Sequence, residues 1–301
     1  MKQQSMSTRA WVELTGLALL WGGSFMSFAI GLQELGVFTL VAHRVFWAAL
    51  LLWVYVLWRG IPLPGTARLW GACLVMGFLN NVVPFSLIAW GQTTIESGLA
   101  AILNATTALF GILIAAAVFA DERLTARKLL GVGLGLAGVV VIIGLDALRA
   151  FDLRSVAQLA ILTASVSYGL AGSWGRKTLN NLRPEAAALG MLTGSSLIIL
   201  PMAYVIDGPP TLALSAATWG AILYISVGAT AMAYLLYYRV LTIAGSGNLM
   251  LVTIMISPIA IILGGFFLNE SLPPTAYAGF AILATGLLVI DGRLFAGRFK
   301  R

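Results

Sequence analysis

Ten long apolar runs, parted by short polar breaks, organise the chain. They occupy residues of about 11–31, 39–58, 69–91, 95–118, 128–145, 156–175, 185–206, 216–238, 243–267 and 275–291. Each approaches the roughly 20 residues that a helix needs to cross the hydrocarbon of a bilayer. The runs are continuous rather than alternating at every second residue, which excludes the roughly 10-residue strands of a transmembrane barrel. The breaks, such as Arg59-Gly-Ile-Pro-Leu-Pro-Gly-Thr-Ala-Arg68 and Asp207-Gly-Pro-Pro210, are too short to fold as a soluble domain. The pattern predicts an all-α integral membrane protein with ten transmembrane helices.

Composition agrees. Of 301 residues, 60% are hydrophobic and 10% charged, against roughly 45–50% and 25% in a soluble domain. Too few side chains remain to cover a water-facing surface, whereas a lipid-facing one asks for none. The net charge of +7 would raise the question of nucleic acid in a soluble protein, but the positions of the charges answer it. With the N-terminus in the cytoplasm, 15 of the 18 Lys and Arg fall on that side, Arg149 and Arg154 on the other, and Arg44 within a span. That asymmetry follows the positive-inside rule. It predicts a multi-pass protein of a bacterial-type cytoplasmic (inner) membrane, both termini inside, with lipid and not nucleic acid around it. Lys2 and Arg9 precede a long first run with no small-residue cleavage pattern, so the run reads as a retained span and not a secretory signal. Cys73 has no second cysteine to pair with, and one Cys with the single His43 cannot complete a thiolate metal site, so no metal or cofactor is expected.

The chain also resembles itself. At an offset of 148 residues, Phe119, Glu122, Leu124, Gly131, Gly138, Val141 and Ile142 superpose on Phe267, Glu270, Leu272, Gly279, Gly286, Val289 and Ile290. These are 7 identities in 24 positions, where composition alone gives about two, so an internal repeat is expected. The echo of Trp70-Gly71-Ala72 in Trp219-Gly220-Ala221 sets helix 3 opposite helix 8. The expected units are residues 1–148 and 149–301, each of five helices. An odd number of spans places the second copy upside down relative to the first, the architecture of alternating access. The charges agree: the turn Asp121-Glu-Arg-Leu-Thr-Ala-Arg-Lys128 is rich in cations, and its copy, residues 269–276, has none.

Several stretches resemble the EamA family of the drug/metabolite transporter superfamily. They are Leu20-Trp-Gly-Gly-Ser-Phe25 in helix 1, Ala42-His-Arg-Val-Phe-Trp-Ala-Ala-Leu50 in helix 2, and the doubled Phe-x-x-Glu-x-Leu element at 119–124 and 267–272. Within the family the chain is similar to the YddG-type amino-acid exporters. The resemblance implies a ten-helix, inverted-repeat exporter of amino acids or other small metabolites, with the cavity lined by helices other than the peripheral helices 5 and 10. Pro258 fits the family pattern, whereas its copy position holds Phe110, so a proline hinge is not duplicated.

A polar side chain deep in a span is costly unless it faces a cavity or a neighbouring helix. On that ground the candidate substrate-binding residues are Trp21, Ser24, His43, Asn80, Asn81, Asn104, Thr107, Tyr168, Tyr234, Tyr237, Asn248 and Ser257. Each has a plainer reading, interhelical hydrogen bonding for Asn, Ser and Thr, and packing or interfacial anchoring for Tyr and Trp. As a set they describe a neutral, partly aromatic cavity. His43 and Arg44 lie about one turn inside helix 2. Either they attract a substrate carboxylate, or Arg44 snorkels to the interface and packs, the reading the sequence favours. All eleven acids fall at span ends or in turns, so transport is expected to run down the substrate's own gradient, with His43 the single candidate for proton linkage.

The small-residue run Gly131-x-Gly133-x-Gly135-x-x-Gly138 lies in an apolar helix with no strand before it, so it reads as close helix packing and not a dinucleotide fingerprint. An ATP-binding loop, the His-Glu-x-x-His of zinc proteases and a serine-nucleophile motif are all missing. A secondary transporter of small metabolites, most simply amino acids, therefore ranks above an enzyme. Export of cationic drugs or nucleotide-type metabolites is the alternative, and a channel or scaffold ranks below both. The expected state is a monomer or weak dimer.

Overall fold

The computed structural model describes residues 7–144, 153–249 and 251–291, and all regular structure among them is helical. Ten helices are long and apolar enough to cross a membrane. They are α1 (Thr8–Gly31), α2 (Val37–Trp58), α3 (Ala67–Gly91), α4 (Ser97–Val118), α5 (Ala126–Ile143), α6 (Leu153–Thr178), α7 (Pro184–Ile206), α8 (Ala216–Gly245), α9 (Leu251–Leu268) and α10 (Pro274–Asp291). The expected break between the eighth and ninth spans lies later than the apolar pattern places it. Gly245 adopts φ 77°, a left-handed conformation that glycine alone enters without a side-chain penalty, and it ends α8 there. Arg149, the cations at positions 2, 293, 298, 300 and 301, and the expected repeat boundary at 148–149 fall outside the described residues.

Local chemistry sets several helix starts. Ser7, Thr66, Thr125 and Ser215 each accept a hydrogen bond from the backbone N–H three residues on, and so satisfy one of the free donors of α1, α3, α5 and α8. Large apolar side chains cover the outside of the bundle. Trp58, Val205 and Phe266 are 79%, 80% and 78% exposed, the surface that a lipid solvent requires.

The packing repeats with the sequence. Helix α5 lies against α10, α2 against α7, α1 against α9 and α4 against α6. A shift of 148 residues maps the first two pairs onto themselves and exchanges the last two. The contact between α5 and α10 shows this in detail. A Cβ on Gly131 would stand 2.6 Å from the Gly286 carbonyl oxygen, and one on Gly138 would stand 2.6 Å from that of Gly279. Gly131 and Gly279 are repeat mates, as are Gly138 and Gly286, so one contact is the copy of the other. The small-residue stripe thus serves helix contact within the chain, where backbones approach closely because no side chain intervenes.

This geometry predicts that Gly131→Ala and Gly138→Ala each destabilise the bundle by about 1–3 kcal/mol, the usual cost of overpacking. Gly133→Ala has open space, with nothing within 4 Å, and should be neutral. Thermal unfolding in detergent separates these outcomes, and equal melting of all three variants would contradict the packing.

Candidate functional site

Helices α3 and α8 each carry a π-helical segment, and they do so at corresponding places. Residues Phe78–Val82 of α3 and Tyr224–Met232 of α8 are π-helical. The repeat offset carries 78–82 onto 226–230, inside the second segment. In α3 the cause is visible in the sequence, because Pro84 has no N–H to offer the carbonyl of Asn80 and its ring crowds that turn. Helix α8 has no proline there, and the small residues Gly228 and Ala229 occupy the turn. A π segment widens a helix and re-aims its side chains, which is why such segments gather at functional sites.

A polar cluster forms between the π segment of α3, Tyr234 two residues past that of α8, and α7. Tyr234 donates its hydroxyl to Asn81 Oδ1 at 2.8 Å and accepts from Asn80 Nδ2 at 3.0 Å. Asn80 Nδ2 also lies 3.2 Å from Asn81 Oδ1 and 3.4 Å from the Met191 sulfur. Asn81 Nδ2 donates to Ser195 Oγ at 2.8 Å, and that hydroxyl donates to the Met191 carbonyl at 2.7 Å. Asn81 and Ser195 are fully buried, whereas Asn80 and Tyr234 keep some exposure. The cluster therefore has a structural root in α3 and α7 and an accessible tip formed by Asn80 and Tyr234.

One turn along α3 and α8, at Phe85 and Thr230, a second layer begins. Arg44 of α2 is 5% exposed; its Nε donates to Thr230 Oγ1 at 2.9 Å, and its guanidinium carbon lies 3.7 Å from the Phe85 ring centre and 5.0 Å from that of Phe28. The snorkelling expected of Arg44 is overturned. It lies seven residues into α2, about 10 Å from the helix end, and two aromatic faces hold it there. Tyr168 of α6 joins this layer edge-on to Phe85, ring centres 6.5 Å apart, while Trp21 packs on Tyr237 at 5.8 Å.

Other expected residues point elsewhere. His43 accepts from Trp47 Nε1 at 3.0 Å and lies against Trp219, so it is not part of the cluster although Arg44 is its neighbour. Ser24 bonds the Trp21 carbonyl, Asn248 bonds the Ala244 carbonyl, and Ser257 bonds the Ala101 carbonyl of α4. The hydrogen bond of Ser24 stays within one turn of the chain, and that of Ser257 joins two helices. Asn104 and Thr107 flank a break in α4, and their buried Oδ1 and Oγ1 lack partners. Sequence reasoning missed Ser195, Phe85 and Phe28. The first had a readable signal in Gly194-Ser195-Ser196 at mid-span, and the two phenylalanines had none that separates them from other apolar positions.

The two ends of the bundle are laced differently. At the end where α1 finishes, carboxylates of one sequence half cap helix N-termini of the other. Glu270 Oε1 accepts from Ser97 N at 2.8 Å, and its Oε2 accepts from Ser97 Oγ at 2.8 Å and Gly98 N at 3.2 Å. Asp207 accepts from Thr39 N at 2.6 Å, and Glu34 accepts from Ser215 N at 2.9 Å. Arg154 grips Glu96 through both Nη atoms. At the end where α1 begins, the links pair acids with cations: Arg239 with Glu13 at 2.7 Å, and Arg176 with Asp121 and Glu122 at 2.5 and 3.1 Å.

Comparison with known proteins now has a geometry to meet. The profile of the EamA-like transporter family matches twice, at residues 12–144 and 155–291. The chain belongs to the EamA-like transporter family. An EamA relative, an "Uncharacterized transporter" of Archaeoglobus fulgidus, is 27% identical over 268 residues, 88% of this chain and 91% of the relative. Another, named "Probable terminal-alkyne amino-acid exporter" in Streptantibioticus cattleyicolor, is 24% identical over 298 residues, 97% of this chain and 96% of the relative. A crystal structure covering 98% of this chain and 100% of its own superposes with a TM-score of 0.68 at 17% identity, which supports the fold. Like its family, the chain is a multi-pass membrane transporter.

Two predictions follow from the site. Asn81→Leu leaves the buried Ser195 hydroxyl and the Tyr234 hydroxyl short of a partner and should cost about 1–3 kcal/mol, whereas Asn80→Ala should melt near the parent. The Ser215 side chain and backbone hold the Glu34 carboxyl below its usual range. A depressed carboxylate stabilises the fold above the unfolded value of about 4 and loses that contribution as pH falls through the folded value. Protection of the amides at the start of α8, taken relative to intrinsic exchange at each pH, should thus fall below about pH 4, and Glu34→Gln should remove that dependence; protection that does not change with pH in the parent would contradict the link.

Proposed function

We propose that this protein is a secondary transporter that exports small metabolites, amino acids foremost, by alternating access around the cluster of Asn80, Asn81 and Tyr234. The observation that carries the reading is the bonding of Asn80 and Asn81, in the π-helical segment of α3, to Tyr234, two residues past the π-helical segment of α8, which draws the cluster from both sequence halves. A site built from both halves changes exposure when the halves rock, whereas a site within one half does not. In this reading residues 1–148 and 149–301 are inverted repeats, the protein lies in the inner membrane, and the end where α1 begins faces the cytoplasm. The name of the Streptantibioticus relative adds support for amino acids as substrates.

The duplicated Phe-x-x-Glu-x-Leu element supplies the switch. Glu270 caps the N-terminus of α4, while its copy Glu122 is held by Arg176 and Lys128. In the opposite-facing arrangement the roles exchange, so that Glu122 reaches positions 245 and 246 ahead of α9, the copies of 97 and 98, and Glu270 lets go. One end closes as the other opens. Every acid among the described residues lies at a span end or in a turn, and His43 faces Trp47 and Trp219. The reading is accordingly of transport down the substrate's own gradient.

Counterflow in liposomes, run over a panel of amino acids with purified protein, tests the proposal. Saturable exchange is expected for at least one neutral member, and Asn80→Ala should raise its half-saturation by about tenfold, the worth of one good hydrogen bond. Flux that never saturates would make the protein a channel.

A further inference from the structure

The mid-bundle assembly holds a cation for which the described residues supply no counter-charge. Arg44 is buried, and Thr230 is its sole hydrogen-bond partner among the described residues. All seven ion pairs among the described residues lie near the ends of the bundle, and none includes Arg44. The faces of Phe85 and Phe28 recover part of the lost hydration, but the two Nη groups have no acceptor there. A buried charge left in that condition is strongly unfavourable, and a planar pair of N–H donors is the geometry that a carboxylate fits bidentately.

We propose that Arg44 is the anion anchor of the transport site and takes a carboxylate of the substrate; the proposal rests on the mid-membrane site described above. The anchor stands beside a second set of groups at a useful spacing. Thr230 precedes Tyr234 by four residues on α8, and Asn81 precedes Phe85 by four on α3, so the two layers are about 6 Å apart along the helices. Tyr168, edge-on to the Phe85 ring that lies against the guanidinium, borders the same layer. A small zwitterion therefore spans the gap, with its carboxylate on Arg44 and its ammonium toward the oxygens of Tyr234 and Asn80. The carboxylate is the obligatory group. Cationic drugs and polyamines meet an uncompensated positive charge and are turned away. The same charge shapes the cycle, because closing over an empty site buries Arg44 alone while closing over a carboxylate does not. Exchange should outpace net efflux.

Two matched triplets test the anchor without relying on transport: phenylalanine, 3-phenylpropanoate and phenethylamine, and leucine, 4-methylpentanoate and isoamylamine. The readout is the melting temperature of purified protein in detergent. At least one of the four carboxylate-bearing compounds should raise it, and neither amine should. The shift should vanish in Arg44→Gln and need at least tenfold more ligand in Arg44→Lys. Ligand-free Arg44→Gln should melt no lower than the parent, since it removes an unpaid buried charge. Amines that shift as strongly as carboxylates, no carboxylate shift at all, or a shift that survives in Arg44→Gln would overturn the anchor. Saturable counterflow without carboxylate preference would sink the anchor and leave the carrier standing. Carboxylate-selective binding with no counterflow of any panel member would do the reverse.

Discussion

A polar group deep in a lipid-embedded bundle has no water to turn to, so it must find a partner in the protein or in whatever the protein carries. That constraint organises the molecule. It explains why Asn81, Ser195 and Tyr234 bond one another across three helices, and why the free N–H groups at the starts of α2, α4 and α8 draw carboxylates from the other half of the chain. It also marks the groups that the chain leaves incomplete. The buried oxygens of Asn104 and Thr107 have no hydrogen-bond partner among the described residues, and Arg44 bonds to those residues only through Nε.

Duplication turns this chemistry into a machine. The contacts of Gly131 with Gly286 and of Gly138 with Gly279 are copies of one another, so α5 and α10 form a near-symmetric support. Around that support the copies of one element do different things: Glu270 caps a helix where Glu122 pairs with cations. In the proposed cycle the latches trade places in a second, opposite-facing arrangement. Asn80 and Asn81 project from the π segment of α3 and Thr230 from that of α8, with Tyr234 two residues beyond it.

The ten spans, the repeat and the glycine stripe were legible in the sequence because hydrocarbon thickness and close backbone approach act on residue type and spacing alone. Asn80, Asn81 and Tyr234 were legible for the same reason, since amides and phenols deep in apolar runs are few. His43 and Arg44 show where such reading stops. They are adjacent, and both are candidate cations, yet a helix turns them about 100° apart, so one faces tryptophans and the other faces the site. Periodicity cannot say which face meets which neighbour until the packing of α2 against α7 and α8 is known. Ser24 misleads for another reason: a serine can satisfy itself on a carbonyl of its own helix, which leaves no trace in the sequence.

The central claim is that two copies of one five-helix unit lie upside down relative to each other, so that matched turns face opposite compartments. Single cysteines placed by Asp121→Cys and Asn269→Cys in a Cys73→Ala background, and labelled in intact cells with a maleimide that cannot cross the membrane, test it most directly. The account predicts rapid labelling at 269 and protection at 121 until the cells are opened. Labelling of both positions in intact cells, or protection of both, would contradict it.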